Sequence, residues 1–299
     1  MYVAPLLSFF FLALALSWAA WIPYAAAKAG VLSVVIPAEV IWLGEYGPAL
    51  AALILTWRGE GWGAVRALFA RLGKWRVSCA WYLAAIGMTP VMVLLVVGAM
   101  AVAGRPLPDP ALLGGWAGRF QARTAAFTPS MGLVTGLSNF MAQGWWQTLL
   151  VFTTLAITNG GVSEEPGWRG WLLPRLQPRY GALVSSLLVA VCWALWHTGT
   201  GFWQVVLTSD FASALRFVPG YLAQYLLLVA PLAVYYTWIY NGTRGSLLLV
   251  VLLHASYNMT VTVVLSAWPT FPLAWLVVGL WLLAGTVYFT GRRRSGVAA

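Results

Sequence analysis

Charged residues are scarce in this chain of 299 residues: Asp, Glu, Lys and Arg together make up 8%, whereas hydrophobic residues make up 61%. Soluble globular domains carry about 25% charged residues. A chain so poor in charge cannot cover a folded surface with polar groups, so most of that surface must face an apolar solvent. The composition therefore excludes a water-soluble enzyme and indicates a protein embedded in a membrane.

Side chains that can carry chemistry are equally few, since the sequence has two histidines and seven acidic residues. Its two cysteines, Cys79 and Cys192, lack C-x-x-C spacing, which excludes a disulfide framework and a cysteine metal site. The net charge is +10, but the basic residues lie in short loops between apolar runs, where membrane topology explains them. We therefore expect no nucleic-acid partner.

Eight apolar runs are long enough, at about 20 residues, to cross the hydrocarbon core as helices. They lie near 4–24, 39–57, 78–103, 146–163, 182–198, 221–240, 246–266 and 271–290. The first run is also compatible with a signal peptide, because three alanines at 25–27 resemble a cleavage site, although no charged segment precedes it.

The distribution of basic residues predicts which loops face the cytoplasm. Of the 17 Lys and Arg residues, 12 flank one set of span ends and 5 flank the other. The positive-inside rule then places both termini in the cytoplasm. No repeat or long polar linker divides the chain. We predict an all-α, polytopic bundle of about eight spans, formed by a single domain (1–299) and located in the cell membrane.

Three clusters of polar residues interrupt apolar helices, where a charged group costs about 2.5–3.5 kcal/mol. They are Glu164 and Glu165 with Arg169, Trp193 with His197, and His254 with Asn258. Partners four residues apart lie on one face of a helix. Glu165 precedes Arg169 in the favourable orientation for an intrahelical ion pair, so we expect Glu164 to face a different neighbour.

The spacing of these clusters predicts that they meet. The midpoint between Glu164 and His197 falls in the Pro- and Gly-containing segment 177–181, which indicates a turn between two antiparallel helices. His254 and Asn258 lie about 13 and 20 Å into a helix entered from the same side. Pro166 either follows a helix start near Ser163 or bends a longer helix, and the sequence leaves both possibilities open.

A carboxylate, two imidazoles and a carboxamide in one buried pocket are typical of a hydrolytic site. Glu164 can take a proton from a water molecule, with a nearby imidazole sharing the water's protons. His254 and Asn258 can donate hydrogen bonds to a developing oxyanion. We predict no cofactor, because H-E-x-x-H is absent. Zinc held by Glu164, His197 and His254 is the alternative, since two histidines and a glutamate can bind that ion.

In this order, E-E-x-x-x-R followed by Gly, an aromatic residue four positions before His, and H-x-x-x-N resemble the CAAX protease and bacteriocin-processing family of intramembrane endopeptidases. The resemblance covers about 140–266, which we interpret as the catalytic core. It implies that Glu164 and His197 activate a water and that His254 and Asn258 form an oxyanion hole. Glu165 and Arg169 match the remaining motif positions, to which we assign a supporting role.

The sequence differs from the usual family motif at one position, and the resemblance does not identify a single substrate. The usual Phe of the second motif is Trp193 here, which keeps an aromatic face but changes the width of the pocket. Relatives trim prenylated CaaX proteins or are largely unassigned, so the implied substrates are membrane-associated peptides of the prenylated CaaX or leader-peptide type. The expected partners are such a substrate and the lipid bilayer.

Other interpretations stay open. Glu164, His197 and His254 also suit a proton relay in a transporter, and an inactive immunity or scaffold protein would keep the same fold. The acidic pair can also be loop-end charges satisfied by arginines, and His254 with Asn258 can join helices by hydrogen bonds. Glu39 and Glu45 flank the second run, where we expect contacts with the interface or with partner helices; a role in a substrate channel is the alternative.

Overall fold

The structure is a computed structural model that describes residues 3–37, 40–115, 160–208 and 211–295. Within these ranges the chain forms helices and no strand. The helices are α1 (Val3–Lys28), α2 (Val40–Glu45), α3 (Gly47–Ala70), α4 (Cys79–Val102), α5 (Gly161–Glu165), α6 (Leu173–Thr208), α7 (Phe211–Gly242), α8 (Leu247–Ala267) and α9 (Leu273–Ser295). A π-helical segment, Pro166–Leu172, joins α5 to α6, and short 3₁₀ segments cover Arg71–Gly73 and Pro110–Gly115.

Six helical stretches in the described part of the chain are long and apolar enough to cross a membrane. They are Pro5–Lys28, Cys79–Val102, Gly161–Gly199, Leu215–Gly242, Leu247–Ala267 and Leu273–Thr290. This confirms the predicted all-α, polytopic class and a multi-pass membrane protein. The number of eight spans and the side of the termini stay predictions.

Two predicted spans are absent from this set for different reasons. The run 146–163 lies mostly outside the described residues. The run 39–57 is divided between α2 and α3, and α3 acquires charge at Arg58 and Glu60 before it breaks at Gly61, where φ is +80°. A left-handed φ suits glycine, which lacks a Cβ. The apolar part of α3 is therefore shorter than a full crossing.

The chain reverses direction within α6. Gly181 has φ +68° and ψ +176°, outside the helical region. Twenty-nine residues separate Glu164 from Trp193, which would place them about 43 Å apart on a straight helix, yet their side chains are hydrogen bonded. The predicted turn in 177–181 is therefore confirmed.

Contacts at the ends of the helices join segments that were predicted to share one side of the membrane. Lys74 Nζ donates to the Arg244 carbonyl at 2.7 Å, and Arg71 donates to the Tyr240 hydroxyl at 2.8 Å. These segments were predicted on the side rich in basic residues. On the other predicted side, Trp268 donates to the Asp109 carbonyl at 2.8 Å.

Aromatic side chains of α1 cover the centre of the bundle. Phe9 stacks on Trp171 with ring centroids 4.8 Å apart. Trp21 lies 5.0 Å from the ring of Trp196, whose indole N–H donates to Ser17 at 2.8 Å. These contacts fix α1 against the π-helical segment, which carries Arg169, and against α6, which carries the second polar motif.

Candidate active site

The first motif begins at a tight helix start. The Gly160 N–H donates to Ser163 Oγ at 3.1 Å, and α5 starts at the next residue. After five residues Pro166 opens the π-helical segment. Proline has no N–H to donate to the carbonyl four residues before it, which favours the wider turn at this point. The question left open by the sequence is thus answered: Pro166 lies just after the first helical turn and changes the helix type.

Glu164 is buried and accepts two hydrogen bonds from tryptophans. Trp168 Nε1 donates to its Oε2 at 3.1 Å, and Trp193 Nε1 donates to the same oxygen at 2.6 Å. The side chain is 3% exposed. Both donors are neutral, so they orient the carboxylate without placing a positive charge beside it.

Glu165 faces a different set of partners, as predicted. Arg169 Nη1 lies 3.0 Å from its Oε1, and both side chains are fully buried. His254 Nδ1 lies 2.7 Å from the same oxygen. The guanidinium of Arg169 is held between the rings of Trp193 and Tyr236, at 4.4 and 4.3 Å from their centroids. The predicted intrahelical ion pair is therefore confirmed, and it also binds a residue of the third motif.

The backbone orients His197. Its Nδ1 lies 2.9 Å from the Trp193 carbonyl oxygen. Because a carbonyl oxygen only accepts hydrogen bonds, Nδ1 carries the proton, and the neutral ring has its lone pair on Nε2. The ring of Tyr225 lies 4.7 Å away at an angle of 30°. Together these contacts fix both the tautomer and the plane of the imidazole.

Trp193 connects the three motifs. Its indole N–H binds Glu164, and its ring lies 5.7 Å from the His197 ring and 5.6 Å from the His254 ring. The sequence indicated an aromatic face at this position. The sequence did not predict the hydrogen bond from Trp193 to Glu164. The phenylalanine that the family usually has at this position cannot donate such a bond.

His254 approaches the backbone at Gly160. A Cβ on Gly160 would lie 2.2 Å from His254 Nε2, and the φ of Gly160 is +89°. Both the close contact and the left-handed backbone require glycine. The N-terminal end of α5 is thus shaped to receive the imidazole of α8.

A cavity of about 340 Å³ brings the predicted residues together. Glu164, His197, His254 and Asn258 all line it. Aromatic side chains form much of the remaining wall, namely Trp21, Trp193, Trp196, Tyr225 and Tyr257. Glu165 and Arg169 lie behind this wall, beneath Trp193. The three motifs therefore converge, while the catalytic roles assigned to them stay predictions.

Glu45 also lines this cavity. The sequence had instead favoured contacts of Glu45 with the membrane interface or with partner helices. Two glycines explain the difference. A Cβ on Gly44 would lie 2.2 Å from Trp21 Nε1, and a Cβ on Gly47 would lie 2.1 Å from Ser17 Oγ. These contacts press the end of α2 onto α1 and direct the chain toward the site. The other acidic residue of this run, Glu39, lies outside the described residues.

Zinc at Glu164, His197 and His254 stays the alternative prediction for this site. Among the described residues, no three His, Cys, Asp or Glu side chains are grouped so as to hold a metal ion. We derive no chemical step from a metal.

Comparisons with known proteins agree with the motifs. Residues 144–260 match the family described as Type II CAAX prenyl endopeptidase Rce1-like. A CAAX prenyl protease 2 from Methanococcus maripaludis is 30% identical over 96 residues, which cover 32% of this chain and 34% of that protein. The chain thus matches about a third of the length of this curated relative. The family match spans all three motifs, and both comparisons support the resemblance to the CAAX protease and bacteriocin-processing family.

Proposed function

We propose that this protein is an intramembrane endopeptidase that hydrolyses peptide bonds of membrane-associated substrates by direct attack of water. The observation that supports this most is the convergence of Glu164, His197, His254 and Asn258 on one cavity. A carboxylate, imidazoles and a carboxamide supply the base and the hydrogen-bond donors that amide hydrolysis needs.

In the proposed reaction Glu164 is the base. Two indoles bind its Oε2, so Oε1 takes the proton from the attacking water. His197 assists through Nε2, since its Nδ1 proton is donated to the Trp193 carbonyl. The water oxygen bonds to the carbonyl carbon of the substrate, and negative charge develops on the carbonyl oxygen.

His254 and Asn258 are the proposed donors to this oxyanion. His254 already donates its Nδ1 proton to Glu165, so it can donate through Nε2 only when that atom is protonated too. The Glu165 carboxylate then offsets the positive charge of the ring. This gives Glu165 a function in addition to its ion pair with Arg169: it supports His254 as a donor.

The dimensions of the cavity support a membrane-anchored peptide as substrate. Its volume of about 340 Å³ is at the small end of the range of about 300–1,000 Å³ typical of ligand sites. The cavity therefore admits a short stretch of extended chain, and the remainder of the substrate lies outside it. Prenylated CaaX-type peptides and leader peptides, the two classes that the resemblance implies, both suit this arrangement.

The experiment compares purified wild-type protein with Glu164→Gln in detergent and in vesicles. Both are incubated with prenylated CaaX peptides and with membrane-anchored leader peptides, and cleavage is followed by mass spectrometry. Loss of the base should reduce the rate by about 10²–10⁴-fold. Glutamine keeps an oxygen for the two indoles, so the fold should persist.

Two controls make the experiment decisive. Glu60→Gln removes a half-exposed carboxylate that pairs with Arg175 and should leave the rate unchanged. Addition and removal of a chelator tests the metal-free mechanism, which a chelator should not affect. Cleavage by wild-type protein and Glu164→Gln at the same rate, or by neither on any peptide, would refute the proposed function.

A further inference from the structure

Glu45 is a half-buried residue whose carboxyl the proposed reaction does not use. It ends α2 and lines the same cavity as Glu164. Its Oε2 is buried and has no hydrogen-bond partner among the described residues. Buried polar atoms are nearly always hydrogen bonded, so an unpartnered oxygen beside a candidate catalytic cavity indicates a group that binds something when the site is filled.

The hydrolysis of an amide also needs a proton donor, since an amine leaves readily only when its nitrogen is protonated. The residues already assigned are committed elsewhere. His197 holds its ring proton on the Trp193 carbonyl, and His254 donates to Glu165. Glu164 takes the proton of the water. Once protonated, Glu164 can return that proton to the amine, whereas a second acidic group beside it would supply the proton directly.

We propose that Glu45 is the general acid of this site, a catalytic residue that donates its proton to the nitrogen of the leaving amine. This inference rests on the proposed function. In this step the C–N bond breaks as the nitrogen takes the Glu45 proton, leaving a carboxylate at Glu45 and a protonated Glu164. Return of that proton from Glu164 to Glu45 through water restores both groups, so the overall change is addition of one water across the bond.

Electrostatics supports one protonated carboxyl beside one ionised carboxyl in this cavity. Glu45 lies close enough to Glu164 for their charges to interact, and two neighbouring carboxyls do not both ionise readily. Glu164 accepts hydrogen bonds from two indoles, and Glu45 accepts one from the Gly160 backbone, whereas Glu45 Oε2 accepts none among the described residues. Glu45 lies outside the six candidate spans, and burial raises the pKa of its carboxyl to about 8. The carboxyl is then mostly protonated at neutral pH.

The position of Glu45 is fixed by its neighbours. Trp21 Nε1 donates to the Ile41 carbonyl at 2.9 Å, which anchors α2 on α1. The close approach at Gly44 and Gly47, described above, holds the two sides of Glu45 against the same helix. A carboxyl held this firmly can transfer a proton without first reorganising the chain.

Leaving groups distinguish a general acid from a structural residue. The assay uses a membrane-anchored peptide that wild-type protein cleaves, and an analogue in which the scissile amide is replaced by an aryl ester. A phenolate leaves without protonation. Glu45→Gln should therefore slow amide cleavage by about 100-fold or more, while ester cleavage stays within about 3-fold of wild type. Glu164→Gln should slow both reactions.

Glu45→Asp is the second variant, because it keeps a proton donor on a shorter side chain. It should cleave the amide faster than Glu45→Gln does. Equal losses on amide and ester in Glu45→Gln, or no loss on the amide, would overturn the assignment of Glu45 as the acid. Failure of wild-type protein to cleave either probe would instead count against the proposed function itself. If Glu45→Gln does not fold, Glu45→Asp takes its place. Equal reductions of the amide and ester cleavage rates in folded Glu45→Asp would then overturn the assignment.

Discussion

Replacing Arg169 by methionine should destabilise the fold by about 3–5 kcal/mol, the cost of breaking a buried ion pair from one side. Arg169 and Glu165 are fully buried and 3.0 Å apart. Without the guanidinium, the Glu165 carboxylate keeps only His254 as a charged or polar partner among the contacts described above. That remaining hydrogen bond to a charged group places the expected loss toward the lower end of the range.

The aromatic sandwich adds a second contribution. The guanidinium lies over Trp193 and Tyr236, and each cation–π contact contributes about 0.5–2 kcal/mol. Methionine recovers part of this, since sulfur–aromatic contacts contribute about 0.3–1.5 kcal/mol. The charge of Glu165, rather than lost packing, is therefore the main cost of the substitution.

A double-mutant cycle separates these contributions. Thermal and denaturant unfolding in detergent would be measured for Arg169→Met, Glu165→Gln and the double variant. The double variant should be more stable than the sum of the two single losses predicts, because no uncompensated charge stays buried. The matched control is the exposed Glu60–Arg175 pair, whose disruption by Glu60→Gln should cost about 0–1 kcal/mol. A loss for Arg169→Met is compared with this value. A loss for Arg169→Met no larger than this control, or strictly additive losses in the cycle, would refute the reasoning.

Three further variants test single contacts of the site. Trp193→Phe keeps an aromatic ring but removes the hydrogen-bond donor to Glu164. Because a hydrogen bond to a charged group contributes about 1.5–3 kcal/mol, kcat for the cleaved peptide should fall by about 10-fold or more. An unchanged kcat would show that this hydrogen bond is dispensable. Gly160→Ala places a Cβ 2.2 Å from His254 Nε2, so it should abolish cleavage, and full activity in a steady-state assay would contradict the described packing. Asn258→Ala should reduce kcat by about 10²–10³-fold with little change in KM, whereas a change in KM alone would indicate that Asn258 binds substrate.

The parts of the site that could be predicted from the sequence depend on the spacing of residues close together in the chain. The ion pair between Glu165 and Arg169 followed from residues four apart on a helix, and the reversal near Gly181 followed from Pro and Gly in one short segment. With those two features, the depth of each polar cluster could be compared by counting residues. The convergence of the three motifs was therefore accessible without coordinates.

Contacts between distant segments could not be predicted in this way. Glu45 reaches the cavity because Gly44 and Gly47 allow α2 to pack on α1, and no periodicity in the sequence reports such an approach. The π-helical turn at Pro166 could not be predicted either, since proline is equally compatible with a helix start or a bend. Counting apolar residues also could not show that α3 breaks at Gly61.

The charge balance around the cavity explains why tryptophans surround the proposed base. Among the described contacts of Glu45, Glu164 and Glu165, a guanidinium pairs with Glu165 alone, that of Arg169. None of the described residues that line the cavity is Lys or Arg. A cation beside a carboxylate lowers its affinity for a proton and so weakens it as a base. Indole N–H groups also stabilise the Glu164 carboxylate, but as neutral donors they do so less than a cation would. Trp193, in the position where the family usually has phenylalanine, provides one of the two.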